Sequence, residues 1–364
     1  MSLDDTGCDS AGSLGIAPDG GYMLPFWYPT SVWVVDDQRS MLAGFSFTFP
    51  DRFPYRLFIN PHRAVTEALE DHASRKSVYD TAIEVDIEES QGSPKESVSI
   101  DRSAIVRAVS DPDRFSEPSC LILDYGMPQM TGLDLLKRIE HVPARRILYT
   151  GHGTERERDP LALGAFNNGL INRYLVKGNI EGLSDEEAAE AIFGVIDEMQ
   201  FEYMATRLEY IQRTLSLVIP KFHSDPNFVA AFRQILDQHK AIEYYFLEGP
   251  PGFLLLDEAG AARRLVVLDE RAMGEWAAKA ELGGAPRDVL EGLQSRSLMP
   301  MATPALTVSH FTESMWRGIF TKPKVIEGVS TYYLGMGSAE DLLSGTAVAS
   351  FGDYLNLQTG EIES

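Results

Sequence analysis

Short runs of consecutive apolar residues alternate with longer amphipathic stretches along the first half of the chain. Such runs lie within residues 31–35, 54–59, 120–124, 145–150 and 174–177. A run without polar interruption is typical of a parallel strand that helices cover on both faces. The alternation of such runs with helical stretches therefore predicts βα units and one parallel sheet.

Polar side chains stand at the ends of four of these predicted strands. They are the pair Asp36 and Asp37, then Asp124, Thr150 and Lys177. The carboxyl ends of parallel strands meet at one edge of a sheet, where ligands bind in open α/β folds. Three carboxylates would repel one another there, and Mg²⁺ relieves this, while the lysine supplies a counter-charge. These groups indicate phosphoryl transfer to an aspartate, although Asp124 taken alone is equally compatible with a helix cap.

The motifs around these residues resemble the receiver domain of two-component response regulators. Val34-Val-Asp-Asp37 matches the acidic pair, and Asp124-x-x-Met-Pro-x-Met-x-Gly132 matches the phosphoacceptor loop. Thr150, Tyr174 and Lys177 match the switch hydroxyl, the switch aromatic residue and the lysine. The resemblance covers residues 31 to about 200.

This resemblance implies a five-stranded, doubly wound parallel sheet of order 2-1-3-4-5. It implies that Asp124 accepts a phosphoryl group from a sensor histidine kinase or a phosphotransfer protein. Asp37 and Asp124, with the carbonyl of Gly126, would hold Mg²⁺, and Asp36 would hold it through water. Thr150 and Lys177 would assist the transfer, and Thr150 and Tyr174 would form the switch.

The sequence departs from the family pattern in three places. Gly178 follows the lysine where the family usually has proline. Gly126 and His152 occupy positions that tune hydrolysis of the acyl phosphate. The 87 residues from Asp37 to Asp124 exceed the usual spacing, which indicates an insertion at about 75–119.

Two segments of the first half have the composition of irregular structure. Residues 1–28 are rich in Gly, Asp, Ser and Pro, which predicts a flexible tail. Residues 84–95 of the insertion are polar and acidic, which is typical of an exposed or mobile loop. A short helix is predicted at about 101–109, and the first domain as a whole at 29–200.

A long helix is predicted over 184–219, beginning at the capping box of Ser184 and Glu187. Its second apolar stripe has the spacing of a short coiled-coil seam. The stripe consists of Met204, Leu208, Ile211, Leu215 and Val218. One interpretation is a phosphorylation-dependent homodimer through this helix, and the alternative is that the stripe packs on the C-terminal domain.

Residues 222–364 predict an α+β domain with an antiparallel sheet. A helix begins at Asp225, three strands follow near 244–268, helices follow at about 270–282 and 286–295, and a last strand covers 330–336. One sheet face is expected to be exposed. His239 is expected at the edge of the core and Arg263-Arg264 at a solvated strand end.

Composition limits the function of this second domain. The net charge is −22, and residues 181–364 hold 28 acidic and 14 basic residues, which disfavours binding to nucleic acid. Two cysteines and the absence of a long apolar run indicate a cytoplasmic protein without a membrane anchor. The preferred hypothesis is a protein- or ligand-binding output module rather than an enzyme, with a DNA-binding regulator as the alternative. An enzymatic output domain is a third hypothesis.

Overall fold

The computed structural model describes residues 14–88, 95–151, 163–177, 184–215, 220–302, 306–358 and 362–363. Its strands are β1 (Phe26–Trp27), β2 (Ser31–Val35), β3 (Tyr55–Phe58), β4 (Ile83–Glu88), β5 (Lys95–Ile100), β6 (Pro118–Leu123), β7 (Arg145–Thr150), β8 (Arg173–Val176), β9 (Ala241–Glu248), β10 (Pro251–Asp257), β11 (Ala262–Asp269), β12 (Met299–Pro300), β13 (Phe320–Thr321), β14 (Lys324–Glu327), β15 (Thr331–Ser338) and β16 (Ile362–Glu363). Its helices are α1 (Arg39–Thr48), α2 (Pro61–Ser74), α3 (Val78–Thr81), α4 (Arg102–Ser110), α5 (Gly132–Arg138), α6 (Asp185–Leu215), α7 (Pro226–His239), α8 (Glu270–Leu282), α9 (Arg287–Gln294), α10 (Glu313–Gly318), α11 (Glu340–Leu343) and α12 (Phe351–Leu357). Two short 3-10 turns cover Pro112–Ser116 and Lys221–Ser224.

The first large sheet is parallel and has the strand order β16-β3-β2-β6-β7-β8. The five strands other than β16 confirm the predicted order 2-1-3-4-5. The sixth strand, β16, comes from the C-terminal part of the chain and pairs with β3. The sequence did not predict this strand, because two residues are too few to show a periodicity.

Alternate side chains of β2 enter two different cores. Trp33 and Val35 pack with α2 and α5, whereas Val32 and Val34 pack with α1 and the first half of α6. Helices thus cover both faces of the sheet, which is the doubly wound arrangement. This explains why the inner strand β2 is apolar on both faces from Val32 to Val35.

The second large sheet is antiparallel and has the order β1-β9-β10-β11-β15-β14. The predicted strands at 244–268 and 330–336 and the helices at 226–239, 270–282 and 287–294 are confirmed. The expected exposed face is wrong, because both faces are covered. One face carries α7 and the second half of α6, and the other carries α8 and α9.

Residues 14–28 are part of the second core, so the predicted tail is wrong for them. Met23, Leu24, Phe26 and Tyr28 are buried, and β1 pairs with β9. The polar composition of the segment conceals the apolar stretch at its end. Residues 1–13 lie outside the described part of the chain.

The described residues of the insertion form regular elements and pack on the second domain. Strands β4 and β5 pair antiparallel, so the predicted loop is wrong over these residues. The predicted helix is confirmed as α4. Tyr79, Ile105 and Val109 lie in the same core as β9 and β10, and the insertion therefore joins the two domains.

The second stripe of α6 is buried inside the chain. Met204, Leu208 and Ile211 are at most 7% exposed and pack in the core of the second sheet. The interpretation of these residues as a dimer seam is therefore wrong, and the alternative of packing on the second domain is confirmed. The side chain of Leu215 and all of Val218 lie outside the described residues.

The C-terminal part of the chain returns to the first domain. Glu363 of β16 forms ion pairs with Arg56 at 2.6 Å and Arg63 at 2.8 Å. Phe351 of α12 packs against Phe115 with ring centroids 5.0 Å apart. The predicted second domain of 222–364 is therefore too long, since these residues join the first sheet and the turn before β6.

Candidate phosphoacceptor site

The polar strand ends meet at one edge of the parallel sheet. Asp36 follows β2, Asp124 follows β6, Thr150 ends β7 and Lys177 follows β8. The backbone N–H of Asp124 donates to Val35 O, and that of Lys177 donates to Thr150 O, each at 2.9 Å. Each of these two backbone hydrogen bonds continues the sheet by one residue. They fix the backbone positions from which the Asp124 and Lys177 side chains extend.

The Lys177 ammonium bridges the two buried aspartates. Its Nζ lies 2.5 Å from Asp36 Oδ2 and 2.8 Å from Asp124 Oδ1. The side chains of Asp36 and Asp124 are only 2% and 1% exposed. Buried carboxylates need compensation, and this lysine provides it.

The burial of these groups shifts their proton affinities. Burial raises the pKa of Asp36, while the hydrogen bond from Lys177 acts in the opposite direction. Burial acts to lower the pKa of Lys177, but hydrogen bonds to Asp124 and Asp36 outweigh it and hold that pKa above its ordinary value. Lys177 is therefore a fixed positive charge at neutral pH.

The three aspartates form a group that suits a hard cation. Asp36, Asp37 and Asp124 each offer a carboxylate oxygen, and these oxygens lie within 4.8 Å of one another. Asp36 has both oxygens engaged, because Gln38 N donates to Oδ1 at 2.8 Å and Lys177 to Oδ2. Asp37 Oδ1 is buried without a hydrogen-bond partner among the described residues. An unpaired buried oxygen is costly, and Mg²⁺ with its preference for oxygen would satisfy it.

The loop after Asp124 is shaped by two glycines. The exposed Gly126 donates its backbone N–H to Asp124 Oδ2 at 3.1 Å. A Cβ on Gly132 would overlap the carbonyl oxygen of Asp124, so a side chain there would displace the site. Helix α5 is capped by Thr131, whose hydroxyl accepts from Asp134 N at 3.1 Å. The interpretation of Asp124 as the helix cap is therefore wrong.

Thr150 and Tyr174 lie on the neighbouring strands β7 and β8. Thr150 is buried at the end of β7. Tyr174 pairs in register with Leu148 and packs, partly buried, against the core beside α2 and α5. The structure thus brings the hydroxyl next to the site edge and the aromatic ring one strand further out.

Tyr149 is a neighbour of the site that the sequence did not indicate. Its ring centroid lies 5.8 Å from Lys177 Nζ and 5.7 Å from the ring of Phe45. Burial raises the pKa of its hydroxyl. An ammonium near an aromatic face gains about 0.5–1 kcal/mol, so the ring helps to hold the lysine. In the sequence, only its position next to Thr150 could have indicated that Tyr149 lies near the site.

The remaining candidates lie away from this edge or outside the described residues. His152 and Gly178 belong to the second group. His239 is partly buried, and burial lowers its pKa. Arg264 on β11 donates to Gly249 O at 3.3 Å. Over the described ranges, the three aspartates are the one group of metal-ligating side chains that comes together, and no helix is long and apolar enough to cross a bilayer.

No family model and no curated protein sequence matches the chain. Solved structures do match it, and they include receiver domains and a response regulator. The doubly wound sheet and its polar strand ends, together with this likeness, indicate a receiver domain of the kind found in two-component response regulators. It is fused to a further C-terminal region.

One matching structure extends over both domains. It is the Legionella pneumophila response regulator LqsR, which is 26% identical, covers 92% of this chain and 95% of its own, and has a TM-score of 0.69. The receiver domain of a putative Luxo repressor protein from Vibrio parahaemolyticus is 15% identical over 50% of this chain and 97% of its own, with a TM-score of 0.32. Full-length FixJ from B. japonicum is 17% identical over 53% of this chain and 71% of its own, with a TM-score of 0.31.

Proposed function

We propose that Asp124 accepts a phosphoryl group from a sensor histidine kinase or a phosphotransfer protein. The observation that carries this proposal is the setting of the Asp124 carboxylate. It is buried at the sheet edge, with the Lys177 ammonium 2.8 Å from Oδ1 and two further aspartates beside it. The likeness to a response regulator over both domains supports the same role.

The transfer would form a bond between a carboxylate oxygen of Asp124 and phosphorus. The phosphorus–nitrogen bond of the phosphohistidine donor would break, and its electron pair would leave with the imidazole nitrogen, which takes up a proton. Lys177 would place its positive charge against the phosphoryl oxygens, and the Thr150 hydroxyl would donate to one of them. Both groups already stand at the sheet edge, so the site needs little reorganisation.

Asp37 and Asp124, with the carbonyl of Gly126, would hold Mg²⁺, and Asp36 would hold it through water. The bound ion would neutralise charge on the phosphoryl oxygens. The unpaired oxygen of Asp37 supports its direct role. The two engaged oxygens of Asp36 support its indirect one.

Thr150 and Tyr174 are proposed as the switch. Phosphorylation would draw the hydroxyl towards Asp124 and change the packing of the Tyr174 ring. This shifts a population between two conformations rather than creating a new one. The second domain would respond by changing its position or its internal packing.

The second domain is proposed as a protein- or ligand-binding output module. The net charge of −14 over residues 181–364 supports this over the alternative of a DNA-binding regulator. Salt-dependent binding of the full-length protein to a DNA duplex would favour the alternative. An enzymatic output is the third hypothesis, and turnover of a substrate by the unphosphorylated protein would favour it.

A phosphorylation-dependent homodimer and a cytoplasmic location remain predictions. Because Met204 and Leu208 are buried within one chain, a dimer would use another surface. Sedimentation of the protein with and without a phosphodonor tests the change in oligomeric state.

The proposed chemistry is tested by the intact mass of the protein after incubation with phosphoramidate. The wild type should gain one phosphoryl group with Mg²⁺ and none with a chelator. Asp124→Asn should gain none, whereas the matched control Asp134→Asn, which alters an exposed carboxylate on α5, should label like the wild type. Equal labelling of Asp124→Asn and wild type would overturn the proposal.

A further inference from the structure

The residue at the start of the strand that ends at Asp124 is a buried acid. Glu117 precedes β6 and is 3% exposed. Its Oε2 accepts a hydrogen bond from the Tyr28 hydroxyl at 2.7 Å, and its Oε1 accepts one from the Tyr203 hydroxyl at 2.5 Å. Tyr203 lies on α6, and Tyr28 lies in the N-terminal segment that packs in the second core. Glu117 therefore ties the central strand of the receiver sheet to two other parts of the chain.

A second buried contact starts three residues earlier. Arg114 donates from Nε and Nη2 to the two carboxylate oxygens of Glu243 on β9, each at 2.9 Å. The Tyr245 hydroxyl donates to Glu243 Oε2 at 2.7 Å, and the Tyr245 ring stacks on that of Tyr28 at 6.1 Å. These contacts close a ring of interactions from Glu117 through Tyr28 and β9 back to Arg114. We call the six residues the edge network: Tyr28, Arg114, Glu117, Tyr203, Tyr245 and Glu243.

Helix α6 is held along the same edge of the receiver sheet. Gln200 Nε2 donates to Thr30 O at 2.6 Å, just before β2. Arg173 at the start of β8 forms an ion pair with Glu198 at 2.6 Å. The amino-terminal ends of the strands thus hold the helix whose second half packs in the second domain.

The Tyr174 ring packs against an apolar core that lies within the receiver domain. Val176 on the same strand is 48% exposed. Strand β6 joins the two sites directly, because Glu117 precedes its first residue and Asp124 follows its last.

We propose that β6 transmits the state of Asp124 to the second domain through the edge network at its opposite end, where Glu117 and Arg114 hold α6 and β9. This inference rests on the proposed phosphorylation of Asp124. Asp124 and Glu117 adjoin opposite ends of one six-residue strand, so a shift of β6 along its axis would displace both residues together. That shift would alter two hydrogen bonds at once, because the Tyr28 and Tyr203 hydroxyls both donate to the carboxylate of Glu117.

The test compares hydrogen exchange of the full-length protein with and without beryllofluoride and Mg²⁺, a stable mimic of the aspartyl phosphate. In the wild type, exchange should slow at the receiver site and change in residues 241–257. In Tyr203→Phe, the change at the site should persist while the change in 241–257 falls to less than half. Tyr210→Phe is the matched control, because Tyr210 lies on the same helix and is 70% exposed; it should behave like the wild type.

Glu117→Gln is the second variant, in case Tyr203→Phe does not fold. Its amide keeps the shape of the carboxylate but accepts at one atom only, so the same loss is expected. A full response of 241–257 in both variants would overturn the inference, and so would a wild-type response confined to the receiver. The absence of any response at the receiver site would instead contradict the proposed phosphorylation of Asp124. The failure of that proposal can therefore be distinguished from the failure of the inference about β6.

Discussion

Arg114 and Glu243 form a buried, bidentate ion pair, although 129 positions separate them in the chain. Their side chains are 3% and 1% exposed. The pair joins the turn before β6 to β9 of the second sheet. The two domains are therefore held by a buried polar contact and a shared apolar core, not by a helix alone.

Removing one member of this pair should be costly. We expect Glu243→Ala to lower the free energy of unfolding by about 3–5 kcal/mol, since it leaves a buried guanidinium without its charge partner. Glu291→Ala, which removes an exposed pair with Arg287, should cost less than about 1 kcal/mol. Urea unfolding measures both, and equal losses in the two variants would contradict the structural role of the buried pair.

Gly132 is expected to be intolerant of a side chain. In Gly132→Ala the new Cβ would overlap the Asp124 carbonyl oxygen, which should cost about 1–3 kcal/mol in stability and reduce labelling of Asp124. Gly194→Ala on α6 is the control, because its Cβ would meet nothing within 4 Å. That change should be neutral or stabilising by up to about 1 kcal/mol. Thermal unfolding distinguishes the two, and a harmless Gly132→Ala would show that α5 can move away.

The buried His223 should make the protein sensitive to acid. Burial lowers the pKa of its imidazole to about 3 from the ordinary value of 6.5. Below about pH 6.5 the unfolded chain binds a proton at this histidine, whereas the folded chain binds it only near about pH 3. The free energy of unfolding therefore falls as the pH drops from about 6.5 to about 3. At 1.36 kcal/mol per pKa unit, the loss by pH 5 is about 2 kcal/mol.

Urea unfolding of His223→Gln between pH 7 and pH 5 checks this assignment. The variant should lose about 2 kcal/mol less than the wild type over the interval. His310→Gln, a change at an exposed position, should follow the wild-type curve. If wild type and His223→Gln lose stability in parallel, the acid sensitivity comes from other groups.

Asp37 should dominate the affinity for Mg²⁺ in the absence of any phosphodonor. Its unpaired Oδ1 gains a partner when the ion binds, so Asp37→Asn should weaken binding by about tenfold or more. Asp341→Asn, at an exposed position in the second domain, should leave the affinity unchanged. Titration calorimetry measures both, and an unaltered affinity in Asp37→Asn would place the ion elsewhere.

The sequence predicted the receiver sheet well because each strand is mainly apolar and four of the five end in a polar residue. Asp36, Asp124 and Lys177 are therefore recognisable from their positions in the chain, and their mutual contacts confirm that they meet. The three consecutive strands β9, β10 and β11 were also predicted, since the short connections at 249–250 and 258–261 interrupt clear apolar runs.

The connections between the domains could not be predicted, because they depend on partners far apart in the chain. In the sequence, Arg114 and Glu117 cannot be distinguished from other polar residues of the insertion. Their role is visible only in the structure, where β9 and α6 lie beside them. Residues 14–28 have the composition of a tail, and only the pairing with β9 shows that Phe26 and Trp27 form an edge strand. The stripe on α6 has coiled-coil spacing, but the core it meets belongs to the same chain.

Chemical mapping of the phosphorylated residue tests the central claim most directly. After incubation with phosphoramidate and Mg²⁺, borohydride reduction converts an aspartyl phosphate to homoserine, which peptide mass spectrometry locates. The proposed function predicts homoserine at position 124, dependent on Mg²⁺ and absent from untreated protein. Homoserine at position 36 or 37 instead, or none at any aspartate, would contradict the assignment of Asp124 as the phosphoacceptor.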